Sequence, residues 1–182
     1  AMLVTFVLAL VVPLQQAIIL GVVVASVLFI YRASIDVRVV RLRREAGSIV
    51  EGEPPAELSD GETVILDVNG SLFFAGARTL ANLLPKVGAA RSVAVVLRLK
   101  NQGDVGSTLL SVLNTYAARL NAQGGMLILT GIDPTVRDRM ISLNQVEGIG
   151  ADRIFASTHI RHQSLRAAEA AVEQWREATP GV

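Results

Sequence analysis

From Ala1 to Tyr31 no side chain carries a charge, and this run decides what the chain can be. An uncharged stretch of that length suits lipid better than the core of a small domain. Leu14–Tyr31 would span roughly 27 Å as a helix, close to the ~30 Å hydrocarbon core of a bilayer. Met2–Val12 is a second apolar run, separated by Pro13 and the amides Gln15 and Gln16. One helix over both would be about 46 Å long, more than a modest tilt absorbs, so two helices are expected, the first truncated. Pro13 suits the first turn of the second helix, where its missing N–H costs nothing. Gly21, Ala25 and Ser26 permit close packing of helices in lipid.

Arg32, Arg38, Arg41, Arg43 and Arg44 crowd the exit of this segment, opposed before Glu45 only by Asp36. Arginine just beyond a membrane helix favours the cytoplasmic side. Tyr31 and Arg32 have the form of an interfacial anchor, a ring at headgroup level and a cation beyond it. The run is too long for a signal peptide and lacks a basic leader. Because Ala1-Met2 already lies inside apolar sequence, a piece of a longer protein is expected. The net charge of +1 gives no reason to expect nucleic acid, and the absence of cysteine removes disulfides and thiolate-bound metals.

Beyond Arg32 the pattern is that of a folded α/β domain. Val37–Leu42, Thr63–Val68, Ser92–Leu99, Met126–Thr130 and Ile154–Phe155 read as strands. Arg78–Val87, Val105–Gln123, the segment from Asp133-Pro134 to Leu143, and Ser164–Trp175 read as helices. Asp133 is an N-cap followed by a first-turn proline. Gly47–Gly61 reads as a loop, and its acidic part, Glu51–Glu62, as a solvated connection. Asn69-Gly70 is a turn dipeptide expected to fold Thr63–Val68 and Ser71–Phe74 into a hairpin. Continuous apolar strands alternating with helices imply a sheet covered by helices, mixed if the first strands pair antiparallel. The expected division is membrane segments over 1–34, a juxtamembrane strand and loop over 35–62, the α/β domain over 63–178 and a tail over 179–182.

Four stretches, in this order, carry a family resemblance: LVTFVLALVVPLQQAIILGVVVASVLFIYRAS (Leu3–Ser34), DVNGSLFFAGARTL (Asp67–Leu80), VAVVLRLKNQGDVGSTLLSVL (Val93–Leu113) and MLILTGIDPTVRDRM (Met126–Met140). The chain resembles the C-terminal end of SulP-type sulfate and anion permeases, which close in a STAS domain, the fold shared with anti-sigma-factor antagonists. The resemblance implies a STAS-like mixed sheet flanked by helices, preceded by the last transmembrane helices. It further implies a homodimeric carrier in the cell membrane for sulfate, bicarbonate or dicarboxylates, with the STAS domain cytoplasmic. Lipid, the carried anion and a cytoplasmic regulatory protein are the implied partners. In such carriers the anion sits among earlier helices, so no substrate residue can be named here.

The chemistry-bearing residues are few. Asp104 stands before Val105–Gln123, where it would cap free N–H groups, and a helix start also suits a phosphate. In anti-sigma-factor antagonists a phosphorylatable serine or threonine comes two residues after the aspartate. Here that place holds Gly106, with Ser107 and Thr108 following. Structural capping and a regulatory phosphate site both stand as readings of this loop. A membrane-tethered signalling module of the antagonist type is the alternative function, and Gly106 argues against it. His159 and His162 lack a further ligand at metal spacing, so no metal is expected. Asp67 is alone in a strand with no partner identifiable from sequence. Phe73-Phe74 is expected to pack in the core, the alternative being that this segment and the helix Val105–Gln123 present surface to a partner. Gly148-Ile149-Gly150 is a loop outside any phosphate-binding fingerprint. No nucleophile–base pair or cofactor loop is visible, so no enzyme and no cofactor is expected.

Overall fold

The computed structural model describes residues 6, 13–35, 37–45, 48–99, 105–158 and 163–178. Helix α1 (Leu14–Ile35) leads into β1 (Arg38–Glu45) and β2 (Ser48–Gly52). There follow β3 (Thr63–Asn69), α2 (Ala75–Leu83), β4 (Ala94–Leu99), α3 (Ser107–Ala122), β5 (Met126–Ile132), α4 (Pro134–Ser142), a 3₁₀ turn (Ala151–Arg153), β6 (Ile154–Ala156) and α5 (Gln163–Ala178).

The six strands form one sheet in the order β2-β1-β3-β4-β5-β6. β1 is antiparallel to β2 and β3, and β3 through β6 run parallel. The sheet is therefore mixed, as the sequence pattern implies. Parallel strands buried on both faces are expected to be near-continuously apolar, which is what Ala94–Leu97 and Leu127–Leu129 are. On one face Leu66, Val68, Val95, Leu97, Leu127 and Leu129 meet Leu80 of α2, Leu109, Leu113 and Leu120 of α3, and Met140 of α4. On the other, Ala94, Val96, Met126 and Ile128 meet Leu165, Ala168 and Val172 of α5. Among the described helices, α5 is the one that packs in this cluster.

Local signals set several boundaries. Asp133 caps α4 by accepting the Thr135 N–H at 2.8 Å, with Pro134 in the first turn. Gly124 turns the chain after α3 at φ 67°, and a Cβ on Gly125 would meet the Val93 carbonyl oxygen at 2.5 Å. The close passage of β4 and β5 at this edge therefore needs glycine.

Three expectations are corrected. Ser71–Phe74 is not a hairpin strand: both edges of β3 are taken, by β1 and β4, so no edge remains for a returning strand. Asn69 instead ends β3 and Gly70, at φ 110°, turns the chain toward α2. Gly47–Gly61 is not all loop, because Ser48–Gly52 pairs with an extended β1. β2, SIVEG, is exposed at every position, so burial imposes no period on its sequence. The Phe73-Phe74 pair is not core: the rings are 59% and 77% exposed, while Leu72 beside them is buried. Phe74 also takes φ 27°, a conformation a bulky residue rarely adopts, worth roughly 1–3 kcal/mol of strain.

α1 has 22 residues, and Ile18, Ile19, Val22, Val23, Val27, Phe29 and Ile30 on it are exposed. Among the described residues no helix is long and apolar enough to cross a membrane, so the spanning helices expected in 1–34 are not supplied by them. The described side chains of α1 run from Gln15 to Ile30, so those of Tyr31 and Arg32 lie outside them, as does most of the first apolar run.

Candidate functional site

At the C-terminal edge of the parallel strands, one row on the α5 face is polar where the rows below it are apolar. Strand alternation places Asp67 two residues past Ile65, Arg98 two past Val96 and Thr130 two past Ile128, all on that face. Register then aligns them: Asp67 opposes Arg98, and Arg98 opposes Thr130. Val40 of β1 and Phe155 of β6 end the row on either side. These are the three buried polar or charged residues among those described.

The Arg98 guanidinium lies 3.7 Å from Asp67 Oδ1, with the two side chains 11% and 8% exposed. That is an ion pair too long for a hydrogen bond. Asp67 Oδ2 receives the Asn69 amide at 3.5 Å, also long, and Asp67 Oδ1 has no hydrogen-bond partner. Thr130 Oγ1 is likewise buried without one. Immediately after it Gly131, at φ 78°, shifts the β5–β6 register. Such irregularities gather where a sheet edge is re-aimed for function. In this row Asp67 can accept a hydrogen bond, Arg98 can donate one and Thr130 can do either. It has no nucleophile with an adjacent base.

Sequence reading noted Asp67 and missed Arg98 and Thr130. The one charge inside SVAVVLRL and the hydroxyl ending MLILT were the available signals; their alignment depends on register, which no local pattern carries.

The predicted helix-start site is placed in part. α3 begins at Ser107, with Gly106 at the N-cap and no side-chain capping bond. Asp104, two residues earlier, lies outside the described residues. Ser107 is exposed and Thr108 partly so. His159 and His162 also fall outside, and no group of three metal-ligating side chains occurs among the described residues.

Two further clefts lie among the described residues. One of about 580 Å³ lies between β1 and α5, lined by Arg41, Arg44, Glu169, Glu173 and Arg176. Its charges are largely spoken for: Arg41 binds Glu62 at 2.6 Å, Arg44 lies 3.5 Å from Glu169, and Arg176 donates to the Gly61 carbonyl. The other, about 410 Å³, lies between the end of α2 and α3 and is floored by Tyr116. The Tyr116 hydroxyl donates to the Pro85 carbonyl at 2.9 Å, and burial pushes its phenol pKa above the usual value.

A family model described as the STAS domain matches residues 54–160. Among solved structures, one titled the overall structure of SLC26A9 is similar with a TM-score of 0.66 at 12% identity, over 96% of this chain and 30% of that one. The murine Slc26a9 anion transporter in its inward-facing state is similar with a TM-score of 0.68 at 17% identity, over 92% of this chain and 28% of that one. The STAS domain of a Vibrio cholerae SulP transporter matches 64% of this chain and 88% of its own, at 20% identity and a TM-score of 0.45, and carries no argument. This chain therefore spans less than a third of the length of the SLC26A9 structures. No curated protein matches it. The six-stranded mixed sheet, its helices and the match over more than half the chain together establish that the chain belongs to the STAS domain family.

Proposed function

We propose that this chain is the C-terminal part of a SulP-type secondary anion transporter. α1 is the last membrane helix, and the STAS domain beyond it serves assembly and regulation on the cytoplasmic face. The observation that carries the reading is the junction itself. An exposed apolar helix, uncharged through Tyr31, is separated by only two residues from the first strand of a STAS sheet. α1 has 22 residues, about 33 Å of helix; its described part is not by itself a spanning segment, and the reading takes the uncharged sequence from Ala1 to Tyr31 as the lipid-facing run. The likeness to SLC26A9 structures, one titled an anion transporter, supports the same arrangement of helix and domain.

In this reading the transported anion is of the sulfate, bicarbonate or dicarboxylate class and binds in helices upstream. The domain works by binding rather than by covalent chemistry, in a homodimer in the cell membrane. Ser107, exposed at the start of α3, and Thr108 after it are the sites where phosphorylation would act. About −2 charge there would meet the positive end of the helix dipole and change the adjoining surface. Uptake of labelled sulfate, bicarbonate and dicarboxylates into vesicles holding the full-length protein tests the reading. Uptake of one class above empty vesicles is expected, and none for any of the three would refute it.

A further inference from the structure

We infer that Phe73 and Phe74, with Arg78 one turn beyond them, form a contact with the headgroup layer of an anionic bilayer. This rests on the reading of α1 as a membrane helix.

Val37 follows the end of α1 by two residues, and its Cγ2 lies 3.2 Å from where a Cβ on Gly76 would stand. The Gly76 N–H in turn donates to the Phe73 carbonyl at 2.7 Å. α1 and β1 both touch α2, whose first turn follows the aromatic pair. The two rings therefore sit beside the mouth of the apolar helix. Ile35 is four residues beyond Tyr31, about 6 Å along the axis. A headgroup layer is roughly 5–7 Å deep on each side of the hydrocarbon. With Tyr31 at the hydrocarbon boundary, the rings fall within that layer.

Composition agrees with position. Leu72 and Ala77 on either side are buried, so the fold had core positions within reach, yet the two largest side chains of the segment face outward. The strained backbone at Phe74 holds them there. Arg78, one turn into α2, is exposed. The segment Asp67–Arg78 has one carboxylate, Asp67, which is buried against Arg98. Exposed aromatic rings with arginine and no exposed carboxylate are the chemistry of an anionic membrane surface.

The chain has one tryptophan, Trp175, at the far end of α5, which makes a fluorescence test direct. W175F/F74W and W175F/F73W chains are reconstituted into phosphatidylcholine vesicles with or without phosphatidylglycerol, each with a headgroup nitroxide lipid. Blue-shifted emission quenched at least about twofold is expected at both positions, stronger with phosphatidylglycerol and weakened by R78E, while Trp175 of the parent chain stays unquenched. Flotation of the vesicles separates the two claims. A chain that does not float overturns the reading of α1. A chain that floats with red-shifted, unquenched emission at both positions overturns the headgroup contact alone. Blue-shifted but unquenched emission, which means cover by protein, overturns it as well, and so does quenching indifferent to phosphatidylglycerol.

Discussion

Asp67 and Arg98 face each other on neighbouring parallel strands, their charged groups 3.7 Å apart and both inside the protein. Two ions withdrawn from water are costly, and their attraction offsets that cost only while both are present. Replacing Arg98 with leucine leaves a buried carboxylate alone, and a loss of about 3–5 kcal/mol is expected. The D67L/R98L double variant should recover most of it, since an apolar pair of similar volume is often neutral. Urea unfolding of the detergent-solubilised chain and its variants measures the cycle. Additive losses in the double variant would mean the two groups do not act as a pair.

Thr130 ends the same row with a hydroxyl that has no partner. Its replacement by valine keeps the shape and removes a buried orphan, so a gain of up to about 1 kcal/mol is expected. A loss of more than 1 kcal/mol in the same unfolding assay would show that the hydroxyl is bonded, to water or to a ligand.

Strands β3, β4 and β5 and the four helices of the domain were legible because burial imposes a period on them. TVILDV, SVAVVLRL and MLILT can only be buried strands, and the stripe Leu109, Leu113, Leu120 can only face a core. What was illegible depends on pairing. Asn69-Gly70 is as good a hairpin turn as any by local chemistry, and only the occupation of both β3 edges forbids it. β2 is fully exposed and carries no pattern. Arg98 and Thr130 became a site only when register set them beside Asp67, and Phe73-Phe74 looked like core because apolar composition does not reveal which way a strained turn points.

Gly76 marks that turn. A Cβ there would overlap the Ser71 carbonyl oxygen and crowd Val37. Gly76→Ala should therefore destabilise the domain by about 1–3 kcal/mol despite alanine's better helix propensity. Thermal unfolding followed by circular dichroism reads it; an unchanged midpoint would mean the β3–α2 turn relaxes freely.

Tyr116 gives a pH dependence. Burial raises its phenol pKa above the ordinary value of 10.0, so the folded state holds its proton where the unfolded chain has lost it. Its contribution is intact below pH 10 and falls as pH rises past the unfolded value. Tyr116→Phe forfeits the bond to Pro85, about 0.5–1.5 kcal/mol at neutral pH, and should flatten the alkaline fall. Denaturant midpoints from neutral pH to pH 11 measure both. An equally steep fall in the variant would assign it to other groups.

The claim beneath all of this is that hydrocarbon covers the exposed apolar side chains of α1. Extraction of vesicle-bound chain with alkaline carbonate, followed by flotation, tests it most directly. The chain is expected to stay with the lipid, and a Val23→Arg variant to be released more readily. Complete release of the unaltered chain into the carbonate supernatant would contradict it.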